Sequence, residues 1–107
     1  MRYKFPDKPV IEPDSATLLS AMANPKRLIV LCMLAESEAS VGQLAEAAKL
    51  SQSATSQHLN KLRANGLVTT RRDAQTIYYT TNSKAVKAIL KSLQDISEGA
   101  AFSRPAA

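Results

Sequence analysis

Apolar positions recur along this chain with two different periods, and the change of period divides it into elements. Leu18, Leu19 and Met22 share one face of a short helix that Asp14 can cap. Asn24-Pro25 restarts the chain, because asparagine is a good N-cap and proline is tolerated at the first helical position. Lys26 to Ala35 is apolar round most of its circumference after the first turn, which predicts a central buried helix with Cys32 inside it. Residues 36–39 read as a linker. Ser40 with Gln43 three places later matches a capping box, and it opens a short helix with Val41, Leu44, Ala45 and Ala48 inward. Lys49-Leu50 is a turn, and Ser51 caps a longer helix whose buried stripe is Thr55, Leu59 and Leu62. Gly66 stands where a helix-terminating glycine belongs.

After Gly66 the pattern turns β-favouring. Leu67 to Arg72 and Thr76 to Thr81 flank Asp73-Ala74-Gln75, a hairpin turn, and Tyr78 and Tyr79 should point to opposite faces. Asn82-Ser83 then caps a last helix from Lys84 to Ile96, with Val86, Ile89, Leu90, Leu93 and Ile96 on one stripe. The expected architecture is mainly α with a small β-hairpin, in the order α-α-α-α-β-β-α. One domain, 14–98, lies between a flexible arm, 1–13, which holds three of the five prolines, and a flexible tail, 99–107. A short helix, a tight turn, a longer helix and a hairpin in succession make a winged helix-turn-helix.

The longer helix has a second stripe that decides its use. Ser53, Ser56, Gln57 and Asn60 fall at i, i+3, i+4 and i+7, with Gln52 in the first turn. A solvated face ordinarily carries Glu and Lys, whereas these short uncharged groups donate and accept as base edges in a DNA major groove require. Taken alone, the helix also fits a polar surface. The charge distribution favours DNA. Of a net +5, the segment from Lys49 to Lys91 holds +7, from eight bases and the single acid Asp73, so the remainder sums to −2. Such a basic half is suited to phosphates. Lys49, Ser51, His58, Lys61 and Arg63 are candidate backbone contacts, and Arg71, Arg72, Gln75 and Thr76 form a hairpin tip suited to phosphates or the minor groove.

In so small a chain the first and last helices can hardly both be covered. Leu18, Leu19, Met22, Ile89, Leu93 and Ile96 are therefore the expected interface of a two-fold homodimer. With no apolar run of membrane-spanning length, no signal peptide and a single cysteine, a reducing, cytoplasmic setting is expected. No paired carboxylates, triad or glycine-rich phosphate loop is visible, so the chain is not expected to be an enzyme.

Three motifs in order resemble ArsR-type winged-helix repressors. Leu19-Ser20-Ala21-Met22-Ala23-Asn24-Pro25-Lys26-Arg27-Leu28 is similar to that family's L-A-x-P-x-R-L-x-I-L. Leu50-Ser51-Gln52 through Ser56, His58-Leu59 and Leu62-Arg63 is similar to L-S-Q-x-x-x-S-x-H-L-x-x-L-R. Gly66-Leu67-Val68 through Arg71-Arg72 to Tyr79 is similar to the wing motif, with Ala74 where many members carry glycine. The resemblance covers roughly residues 16–97. It implies a homodimer built from the first and last helices, a repressor acting on a near-palindromic operator, and base contacts from the segment 51–60. It also shows departures. Metal-sensing members place cysteines on the third helix or Asp and His on the last, but residues 39–45 hold no thiol and residues 83–97 no histidine. One cysteine and one histidine cannot supply a site of those types, so no metal or other cofactor is expected. Two other readings stand beside DNA binding: a winged-helix protein-interaction module, and a redox- or ligand-responsive sensor of the same fold using Cys32.

Overall fold

A computed structural model of the chain describes residues 14–99. The expected flexible arm, 1–13, and all but Gly99 of the expected flexible tail, 99–107, lie outside the described residues. Five helices and three short strands follow in order: α1 Asp14–Met22, α2 Pro25–Glu36, β1 Ala39–Ser40, α3 Val41–Ala48, α4 Gln52–Ala64, β2 Thr69–Asp73, β3 Thr76–Thr80 and α5 Lys84–Glu98. The mainly α, winged helix-turn-helix architecture is the one the sequence predicts. Two details differ. Asp14 is the first residue of α1 rather than its cap. The expected linker ends in a strand, so the hairpin is part of a three-stranded antiparallel sheet of order β1-β3-β2.

Local chemistry sets the helix ends. Asn24 Oδ1 accepts from the backbone of Lys26 and Arg27 at 2.9 and 3.2 Å, with Pro25 in the first turn. Ser40 and Gln43 close a reciprocal capping box, 2.9 Å from Ser40 N to Gln43 Oε1 and 3.3 Å from Gln43 N to Ser40 Oγ. Ser51 and Ser83 accept from Ala54 N and Val86 N, both at 3.1 Å. Each cap satisfies an amide that the first helical turn would leave without a partner.

The core gathers under the sheet and between α2, α3 and α4. Val30, Leu31, Leu44, Leu59, Leu62 and Val86 are fully buried, joined by Thr55. Thr55 is tolerated there because its hydroxyl donates to Ser51 O at 2.8 Å. Thr81 donates likewise to Leu67 O at 2.7 Å, tying the end of the sheet to the end of α4. Tyr79 packs against this core, and Ala39, its partner on β1, is buried.

Three expected burial states change. Met22 is buried at 2% exposure within one protomer, so it belongs to the core rather than to a surface that a second copy could cover. It closes α1 just before the bend into α2, where the two helices meet at 97°. Cys32 is exposed, not buried. An unbroken apolar run carries no phase, and the inward positions of α2 prove to be Val30, Leu31 and Leu34. Ile29 is exposed as well. No single helix among the described residues is long and apolar enough to cross a membrane.

Candidate nucleic-acid interface

The α3–α4 pair is joined by a turn that Lys49 makes possible. Its backbone sits in the left-handed region, φ 57° and ψ 49°. The amide of Leu50 returns to Ala45 O at 3.0 Å and that of Lys49 to Glu46 O at 3.2 Å. These are the two bonds of a Schellman motif, with lysine at the position glycine usually holds. α4 ends the same way: Gly66 has φ 72°, Leu67 N reaches Leu62 O and Gly66 N reaches Arg63 O, both at 2.9 Å. The helix that follows the turn is thus fixed at both ends.

Its two faces separate cleanly. Thr55, Leu59 and Leu62 point inward at 0% exposure. Gln52, Ser53, Gln57 and Asn60 are exposed, and Ser56 is half-buried at the margin. Lys61 and Arg63 are exposed on the last turn. No acid occurs from residue 50 to 72. Exposed hydrogen-bonding groups therefore lie on a rigid helix whose opposite face is buried, flanked by cations at the helix turn and the far end.

Two residues without an assigned role hold this unit against α2. Lys26 Nζ donates to Ala48 O at 2.7 Å, satisfying a carbonyl at the end of α3. Arg27 Nε donates to Ala21 O at 2.6 Å, and its Nη1 lies 3.3 Å from His58 Nδ1. His58 is half-buried. Its Nδ1 serves as the acceptor, which puts the proton of the neutral ring on Nε2. His58, read from the sequence as an orienting or phosphate-contacting residue, has Arg27 of α2 as its partner. Only a contact spanning 31 residues reveals this, so no local pattern could.

The wing is the hairpin of β2 and β3, paired from Thr69↔Thr80 to Asp73↔Thr76. The loop is Ala74-Gln75, and Ala74 takes φ 56°, a backbone sign at the first loop position that favours glycine. Gln75 and Thr76 are exposed at the tip. The two arginines, expected to act together, point to opposite faces because successive strand residues alternate. Arg72 is exposed opposite Ile77, with no hydrogen bond or ion pair among the described residues. Arg71 lies opposite Tyr78, its guanidinium 4.6 Å from the ring centroid. Beyond the ring it makes a two-pronged pair with Glu38, Nε to Oε2 at 2.8 Å and Nη2 to Oε1 at 2.5 Å. The pair holds the Glu38 carboxyl below its usual range, through the hydrogen bond first and the charge second. Arg71 is therefore engaged within the protein, whereas Arg72 is open.

This geometry has known counterparts. The model for bacterial regulatory proteins of the arsR family matches residues 24–70. Nodulation protein NolR of Rhizobium meliloti is 62% identical over 82 residues, covering 77% of this chain and 67% of the relative. The chain belongs to the arsR family of bacterial regulatory proteins. The transcriptional activator HlyU of Vibrio cholerae is 54% identical over 79 residues, 74% of this chain and 73% of its own. The crystal structure of NolR from Sinorhizobium fredii superposes with a TM-score of 0.74 at 52% identity, over 83% of this chain and 96% of that one. This member of the arsR family is accordingly a DNA-binding transcriptional regulator and not an enzyme. Among the described residues, no three His, Cys, Asp or Glu side chains converge as metal ligands would.

Proposed function

We propose that this chain acts as a cytoplasmic homodimeric repressor that reads a near-palindromic operator with α4 in the major groove. The observation that carries the reading is the outward face of α4: hydrogen-bonding, free of acids, and backed by a fully buried stripe. Gln52, Ser53, Ser56, Gln57 and Asn60 contact base edges, where the amides of Gln57 and Asn60 suit adenine N6 and N7. Lys49, Ser51, Lys61 and Arg63 hold phosphates. Arg72, Gln75 and Thr76 carry the wing onto the backbone or into the minor groove.

The dimer brings together α1 and α5. Leu19 is 53% exposed and Ile96 38%, and Leu18, Ile89 and Leu93 are half-buried beside them. α5 contributes only Val86 to the buried set; Ile89 and Leu90 pack against the core, yet they and Leu93 stay partly open and Ile96 is exposed. A two-fold pair would cover this stripe and place two copies of α4 about 34 Å apart, one turn of DNA. Cys32 has no part in this reading. Partial burial, and then the Glu36 carboxylate, push its thiol pKa up, away from the reactive thiolate.

The test is selection of bound duplexes from a random library by the purified protein, followed by sedimentation with and without the selected site. A two-fold repressor should select an inverted repeat with half-site centres about 10 base pairs apart and form a complex of two chains per duplex. Recovery of no enriched sequence, or a single half-site bound by one chain, contradicts it.

A further inference from the structure

Glu38 makes the shorter, two-pronged pair with Arg71, which Asp73 of the wing approaches only to 4.0 Å, and no role in DNA binding so far uses it. It stands just before β1, while Arg71 is on β2, and β3 lies between the two strands. The register puts Ser40, Tyr78 and Arg71 in one row across the sheet. The arginine crosses that row by stacking on Tyr78 and ends on the carboxylate with both prongs made. An ordinary exposed ion pair is weak, but a bidentate arginine–carboxylate pair held over an aromatic ring is the geometry in which one persists. We propose that Glu38 withdraws Arg71 from DNA and thereby sets how strongly the wing grips duplex of any sequence, with Arg72 left as the working arginine.

The proposal rests on the DNA-binding reading and deepens it. Phosphate contacts supply affinity without sequence information, so each cation on the backbone strengthens the whole genome's competition with the operator. Neutralising one of two neighbouring arginines lowers that background while leaving the base-reading face of α4 intact. Should a phosphate approach Arg71, it must also approach the Glu38 carboxylate, and like charges oppose the exchange. Glu38 is thus a positioning residue that acts through Arg71 and raises the ratio of specific to nonspecific binding.

The experiment measures affinity for random-sequence duplex between 50 and 200 mM salt, with wild type, Glu38→Gln, Arg71→Gln and the double variant. One added phosphate contact steepens the slope of log affinity against log salt by about 0.9. Glu38→Gln should steepen it by about that amount and bind random duplex roughly three- to fivefold tighter at the low-salt end. Arg71→Gln alone should leave the slope close to wild type, and the double variant should return to it. Both positions are exposed, and matching thermal melts establish that the fold is kept. An unchanged slope in Glu38→Gln overturns the proposal. So does a slope flattened by about 0.9 in Arg71→Gln, which would mean that Arg71 already sits on a phosphate. Wild type without salt-sensitive binding would sink the DNA reading itself, an outcome distinct from both.

Discussion

Two amphipathic helices of similar length, α4 and α5, end in opposite situations. α4 buries Thr55, Leu59 and Leu62 within its own protomer and turns outward a face of uncharged hydrogen-bonding groups. α5 buries only Val86 and leaves Ile89, Leu93 and Ile96 partly or largely open, against a charged far side of Lys84, Lys87, Lys91 and Asp95. The apolar face of α4 is satisfied, so its polar face is what remains for a partner. In α5 the polar face is solvated and the apolar face remains. In the proposed reading one helix meets DNA and the other a second copy of the chain. A variant in either should fail in a different way: through fold stability for the core of α4, through association for α5.

The largest effect follows from the core. Leu59→Ala should lower unfolding free energy by about 2–5 kcal/mol in a denaturant melt, through lost burial and the cavity left behind. Leu93→Asp should leave a folded chain that sediments as a monomer, with a melting temperature no longer dependent on concentration. If Leu93→Asp unfolds the chain instead, α5 is part of the protomer core and the contrast between the helices collapses. Next in size is the helix entry. Ser51→Ala removes the cap of α4 and should cost about 1 kcal/mol. Lys49→Gly sharpens the contrast further, because it separates backbone from charge. Relief of the left-handed lysine should stabilise the fold by up to about 1 kcal/mol, while loss of a phosphate contact flattens the salt slope by about 0.9. A variant that is stabilised with its slope intact would remove Lys49 from the interface.

The smallest effect is a pH dependence. Glu38 has its pKa lowered in the folded chain, so its pair with Arg71 contributes stability above the usual carboxylate range. That contribution fades as pH falls through the folded value. Glu38→Gln should therefore melt with a shallower acid dependence than wild type. Equal acid limbs would mean the pair adds nothing to stability, as many exposed pairs do.

The sequence makes legible what local chemistry determines. Asn24, Ser40 with Gln43, Ser51 and Gly66 each fix a boundary through partners within five residues, so the helix-turn-helix can be read from the order of residues alone. The facing of α4 is legible too, because polar and apolar positions alternate along it with a clear phase. α2 offers no such phase: its apolar run conceals that Cys32 and Ile29 face outward. Met22 shares a spacing with Leu18 and Leu19, yet the bend after α1 turns it into the core while Leu19 stays open. β1 is two residues long, and its pairing with Tyr78 and Tyr79 lies nearly forty residues away. The Lys26, Arg27 and Glu38 contacts span 22 to 33 residues. They join elements whose approach only the packed core determines.

The measurement that bears most directly on the recognition face is Gln57→Ala on the selected operator and on random duplex at one salt concentration. If α4 reads bases, the variant loses about 1–3 kcal/mol on the operator and relaxes its preference at one base pair of each half-site, with an unchanged affinity for random duplex. Equal affinity and unaltered preference on the operator would show that the exposed face of α4 does not read bases, and the assignment of α4 would fall.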